Sequence, residues 1–266
     1  MKAMLVGLAA CVIASASAWQ ARAAFRYDDL WNHGVPLRDY RAASAPNSEP
    51  SVYDEMLIDN GVDPASDKGQ LILAWIARIN DDPVVTGSAR GVSQLFLNAG
   101  ARAELMADGL ERLSPALRLQ YVMLITRLLD TLVPADCFGL NAMDAVVNRV
   151  SLSAMSEADI DGYFRLLLAA LQAAQSETSP ELPSPQQSER AEESLKRSLL
   201  HELGYVQSNV ARYIAYSGNP EGATPVDACW AMRVTMHAIL AMPDPDRDVV
   251  LRQTVQSQRA TSAPRQ

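Results

Sequence analysis

Three histidines, two cysteines beyond the N-terminal region and several adjacent acidic pairs are the residues through which this chain could do chemistry. His33, His201 and His237 are the side chains that titrate near neutral pH without a perturbing environment. His33 sits between Asn32 and Gly34 in an aperiodic stretch. His201 lies about 200 degrees around a helix from Leu199 and should face solvent. His237 is one turn from both Val234 and Leu240, so it should be partly buried. No pair has zinc spacing: Tyr205 stands where His-Glu-x-x-His would need its second histidine. The histidines therefore read as surface and packing residues, and neither a metal nor a cofactor is expected.

Carboxylates adjoin at Asp28-Asp29, Asp54-Glu55, Asp81-Asp82 and Glu192-Glu193. Two carboxyl groups facing across a cleft could hydrolyse a glycosidic bond. Acidic neighbours also arise wherever helices start or present a solvated face, and adjacency does not show convergence. Gly91-Val92-Ser93-Gln94-Leu95 opens like a nucleophile elbow but lacks the closing glycine and a preceding strand. Phosphate-loop, dinucleotide and calcium-loop patterns are absent from the sequence.

Cys137 and Cys229 form an even pair once Cys11 is assigned to the leader. In an exported protein such a pair reads first as a disulfide. Closing a loop of about 90 residues would stabilise the fold by roughly 4 to 5 kcal/mol on chain-entropy grounds. A reactive thiol is the rival, because both cysteines follow helix-start signals where a thiolate gains stability.

Export is expected from residues 1–23. Met1 and Lys2 lead an apolar run from Ala3 to Ala14, followed by Ala16-Ser17-Ala18 and Ala21-Arg22-Ala23, two cleavage-site patterns. The apolar run is shorter than the roughly 20 residues a membrane span needs. Leu8-Ala9-Ala10-Cys11 offers the lesser alternative of a lipoprotein anchored through Cys11. A periplasmic or secreted location follows, with no membrane span after cleavage.

The formal charge of the 266 residues is −8, and losing Lys2 and Arg22 with the leader makes it −10. Nucleic acid and anionic membranes are poor partners for such a surface, and cationic proteins are favourable ones. Residues 24–50 carry Phe25, Tyr27, Trp31 and Tyr40 with three prolines and no periodicity. They form either a strap over the protein's own core or an arm that docks on a partner.

From Tyr53 onward the pattern is helical. Leu71, Ile72, Trp75, Ile76 and Ile79 share a face that ends at Asn80-Asp81-Asp82-Pro83. A helix kinked or broken near Gly100 should follow, then one after Ser114-Pro115 that is apolar on most sides and hence central. Further helices are expected over about 137–150, from Ser156, over five continuous turns from Leu195 to Ile214, from Thr224-Pro225, and briefly around Val249. Residues 176–187, with prolines at 180, 183 and 185, read as a loop tolerant of deletion.

The expected fold is thus all-α: a single irregular bundle of about seven helices over 51–258, one disulfide, an N-terminal arm and a disordered tail at 259–266. The expected activity is non-catalytic protein binding, as an inhibitor, immunity-type protein or adaptor for a cationic envelope or secreted partner. A periplasmic hydrolase with paired carboxylates, and a helical carrier of an apolar ligand, are the alternatives.

Overall fold

The computed structural model describes residues 51–86, 108–176 and 182–262, with side chains as far as 254. The leader, with Cys11, the arm, with Phe25, Tyr27, Trp31 and Tyr40, and the segment around Gly100 lie outside the described residues. Ten helices follow in order: α1 (Val52–Asp59), α2 (Asp67–Asn80), α3 (Pro83–Thr86), α4 (Pro115–Thr131), α5 (Met143–Asn148), α6 (Glu157–Ala174), α7 (Pro185–Glu202), α8 (Gln207–Gly218), α9 (Pro225–Ala241) and α10 (Asp246–Ser262). Short 3-10 turns occupy Cys137–Gly139 and Pro220–Gly222, and residues 108–112 are helical. Among the described residues there is no strand, so the chain is all-α as its periodicity predicts. No described helix is long and apolar enough to cross a membrane.

The chain separates into two compact units where the sequence predicts one bundle. One unit contains 113–150 and the chain from 178 onward; the other contains 24–112 and 151–177. The bridge between Cys137 and Cys229 does join sequence from both sides of the Pro-rich loop. It joins them within the first unit, while the intervening helix α6 belongs to the second.

In the disulfide unit, α4 supplies Val122, Ile125 and Leu129 to a core completed by Leu195 and Leu199 of α7, Met232 and Ile239 of α9, and Val249 and Val250 of α10. Side chains cap the starts of α4, α7 and α9. Ser114 accepts from the Leu117 N–H with Pro115 in the first turn, and Thr224 does the same for Asp227 ahead of Pro225. At α7, Ser184 and Gln187 form a reciprocal capping box around Pro185. The Pro-rich loop therefore ends at Ser184 rather than at 187, because its last proline starts a helix.

Two predicted helices are interrupted by left-handed backbone. The run from Leu195 to Ile214 is two helices, because Gly204 (φ +64°) and Tyr205 (φ +56°) turn the chain. The Tyr205 N–H reaches the Leu200 carbonyl at 3.0 Å and the Gly204 N–H reaches that of His201 at 2.9 Å, the paired bonds of a Schellman C-cap. Apolar spacing passes through such a turn unchanged, so periodicity alone cannot see it. The helix predicted from 137 to 150 shrinks to α5, since Cys137 (φ +49°), Phe138 (φ +57°) and Gly139 (φ +76°) are successively left-handed. At the C-terminus the correction runs the other way: α10 continues through Ser262, past the expected start of the tail at 259, and residues 263–266 lie outside the described residues.

Polar groups fix how α4, α7 and α10 meet. Arg118 of α4 is buried, and its Nε and Nη2 donate to the two carboxylate oxygens of Asp248 at 2.7 and 3.1 Å, while Nη1 donates to the Leu113 carbonyl. Asp248 also faces Arg252 at 3.2 Å, and its buried neighbour Asp246 accepts from Arg190 of α7 at 2.7 Å. Both carboxylates lie in the first turn of α10, where the helix dipole favours negative charge.

The second unit, which holds 24–112 and 151–177, packs α2 on α6. Ile72, Trp75, Ile76 and Ile79 are buried as predicted, and so are Ile160, Phe164, Leu167 and Leu171 of α6. Trp75 stacks on Phe164 with centroids 6.4 Å apart, and its Nε1 donates to Asp161 at 3.1 Å. Gly109 meets the α6 backbone so closely that an added Cβ would fall 2.0 Å from the Ala170 carbonyl oxygen.

The buried ion pair generates a prediction. Removing one partner leaves the other charge buried without compensation, which costs about 3 to 5 kcal/mol. Arg118→Ala and Asp248→Ala should each lower the urea midpoint by that equivalent. The double variant Arg118→Met/Asp248→Leu should recover much of the loss, and equal losses in all three would exclude burial of the charge as the cause.

Candidate functional site

Charge is divided unevenly between the two units. The described residues of the second, acidic unit hold twelve carboxylates against four basic residues, whereas those of the disulfide unit hold twelve against eleven. The net negative charge of the described chain is therefore carried almost wholly by one unit, and within it a shallow depression gathers Asp63, Asp67, Lys68, Ser153 and Glu157.

Local structure places these residues. After α1 the chain reverses at Gly61 (φ +71°), a conformation glycine adopts without steric cost. Asp63 then accepts from the Ala65 N–H at 2.9 Å, and Ser66 caps α2 through the Gly69 N–H at 3.1 Å. The loop lies so close to α2 that a Cβ on Gly69 would sit 2.2 Å from the Asp63 carbonyl oxygen. Asp67 is the first residue of α2, and Glu157 is the first of α6, itself capped by Ser156. The start of α2 and the start of α6 thus contribute to one depression. Ser151 fastens the segment before α6 by donating to the Asn60 carbonyl at 3.2 Å.

Asp63, Asp67 and Glu157 are exposed, and among the described residues none of them is in an ion pair. Lys68 donates to the Ser153 carbonyl at 2.7 Å rather than to a carboxylate. Its ammonium is tethered to backbone while three carboxylates remain open to solvent. Chemically, the depression can accept hydrogen bonds and positive charge; it contains no nucleophile paired with a base.

The other candidates from sequence have different placements. Asp54 closes a capping box with Ser51 at α1. Asp82 accepts from the Val84 and Val85 N–H groups and from Gln172. Burial works to raise its pKa, but the bonds from Val85, Gln172 and Val84, with the charge of Arg78, outweigh that and hold it below the usual range. Glu192 and Glu193 flank Lys196 at 3.7 and 3.4 Å. Asp28 and Asp29, like His33 and the four arm aromatics, lie outside the described residues. His201 is exposed; His237 is half-buried, with Nε2 3.0 Å from Asp130. Cys137 and Cys229 form the expected disulfide, fully buried, with Cα atoms 5.3 Å apart.

Adjacent carboxylates in the sequence do not point to this depression, because Asp67 and Glu157 are distant in sequence and come together through the packing of α2 on α6. The available signal was the sparseness of basic residues over 51–86 and 151–176, seven and three carboxylates against two and one. No protein-family model, no curated protein and no solved structure matches this chain.

In the disulfide unit, Asp144 of α5 is a carboxylate in an unfavourable place. Burial raises its pKa, against bonds from the Ala145 and Asp144 N–H groups, and its Oδ1 lacks a hydrogen-bond partner among the described residues. A folded pKa above the unfolded value of about 3.9 means that ionisation costs stability, absent below that pH and complete above the folded pKa. Asp144→Asn should therefore raise Tm at pH 7, with the gain vanishing near pH 3. A gain that persists at pH 3 would show that charge is not its origin.

Proposed function

We propose that this protein is an exported, non-catalytic binding protein whose acidic unit docks a cationic protein. The observation that carries this reading is the twelve-to-four excess of carboxylates over basic residues in the described acidic unit, together with three exposed carboxylates unpaired among the described residues at one depression. Steering by such a surface accelerates encounter, and salt screens it beyond about 8 to 10 Å. An arginine or lysine side chain of the partner would enter between Asp63, Asp67 and Glu157, next to the Lys68 ammonium. The arm residues Phe25, Tyr27, Trp31 and Tyr40 supply the apolar part of the contact in this reading. A buried disulfide supports the exported location.

The immobilised protein should retain a basic protein from envelope or secreted extract. Asp63→Asn/Asp67→Asn/Glu157→Gln should slow association at least tenfold at low salt with unchanged Tm, and the difference from wild type should shrink at about 0.5 M salt. Trp31→Ala/Tyr40→Ala should instead speed dissociation. Unaltered association after neutralising the three carboxylates would refute the docking site.

A further inference from the structure

The Cys137–Cys229 bridge has an asymmetric environment. At one end, Cys137 and Phe138 hold left-handed backbone, which L side chains adopt uncommonly, and Phe138 projects partly into solvent. At the other end, Arg233 places Nη1 2.9 Å from the Cys229 sulfur. The same guanidinium reaches back to α4: Nε and Nη2 donate to the Leu129 carbonyl at 3.2 and 2.7 Å, and Nη2 also to that of Val133 at 2.7 Å. Arg233 is therefore positioned by α4 whether or not the sulfur is bonded. Its nearest carboxylate is Asp130 of α4, with Nε 3.9 Å from Oδ1, and Asp130 also engages His237 of α9. Asp136 precedes Cys137 and is exposed.

We propose that the bridge is a reducible switch in which Cys229 is the leaving thiolate, held by Arg233, and the turn Cys137–Gly139 is released. A dithiol supplies the electrons. Its first thiolate attacks the Cys137 sulfur, the Cys137–Cys229 bond breaks, and Cys229 departs as the anion facing the guanidinium. The second thiol of the reductant, deprotonated, then displaces Cys137 and closes a cyclic disulfide. In sum the dithiol loses two electrons and two protons; Cys137 keeps one proton as a thiol, and the other goes to solvent. A thiol with a lower pKa leaves faster, which directs the attack to Cys137, and a nearby guanidinium stabilises a thiolate against the cost of burial. Once the bond is broken, nothing covalent holds Phe138 in the left-handed region. Both sulfurs are buried, so the exchange proceeds through local opening of this turn.

The test is an ultraviolet titration of thiolate absorbance near about 240 nm, which needs no access to the sulfur, on protein reduced with dithiothreitol; Cys11→Ser is included if the leader is retained. Cys137→Ser carries Cys229 alone and removes the need for reductant. In both, one thiolate should be present at pH 7. Arg233→Gln should return Cys229 to or above the ordinary thiol range near 8.5, and Arg233→Lys should restore part of the shift. Reduced protein should retain its far-ultraviolet helical signal yet be cut by chymotrypsin after Phe138 faster than the oxidised form. Titration at about 8.5 or above in both the reduced wild type and Cys137→Ser would overturn the proposal. So would loss of the helical signal on reduction, which would make the bridge purely structural, or equal cleavage at Phe138 in the two states.

Discussion

A guanidinium keeps its charge when buried, so Arg118 at the start of α4 must have a carboxylate brought to it, and much of the disulfide unit follows from that requirement. Asp248 meets Arg118 with both oxygens, which seats the first turn of α10 against α4. The neighbouring Asp246 then takes Arg190 and so includes α7. At the other end of α4, Arg233 of α9 binds the carbonyls of Leu129 and Val133, and the Cys137–Cys229 bridge fastens the turn beyond. The central helix is thus held at each end by an arginine, once inward from α4 and once onto it. A buried ion pair of this kind adds little net stability over well-packed apolar groups, but it makes other arrangements of the same apolar faces costly, since they would strand a charge. In this unit it acts as a specifier of which helices meet.

The second unit has the opposite electrostatic character. Its core is apolar and aromatic, from Ile72, Trp75 and Ile76 to Phe164 and Leu171, and its carboxylates lie mainly at helix starts and on the surface. First-turn acids such as Asp67 and Glu157 favour their helices through the dipole, so each is useful locally. Both belong to helices whose starts line one depression, and the fold thereby concentrates negative charge there. Helix initiation and the recognition of positive charge that we propose would thus fall to the same side chains.

Much of the architecture was legible in the residues. The stripes of α2, α4 and α6, the caps at Ser114, Ser156 and Thr224, and the cysteine pairing all follow from spacing, capping chemistry and the compartment expected from residues 1–23. What was not legible has definite physical causes. Left-handed backbone at Cys137 and Tyr205 has no apolar periodicity to announce it, and only Gly204 gave a local hint. The assignment of α6 to a unit different from α4, α7, α9 and α10 is a matter of long-range contact, which neither the Pro-rich loop nor the cysteine pair announces. Buried Arg118 lay on a helix face that would ordinarily be polar, and its partner is 130 residues away. The acidic depression has the same cause: Asp63 and Asp67 are neighbours of Glu157 only in space.

The central claim is that recognition of positive charge resides in the depression of the acidic unit. Amide chemical-shift mapping with a short arginine- and lysine-rich peptide as probe tests it most directly. The largest shifts should fall on Asp63 to Lys68 and Ser153 to Glu157, and they should disappear at about 0.5 M salt. Shifts of equal size over α7 to α10, or shifts indifferent to salt, would contradict the account.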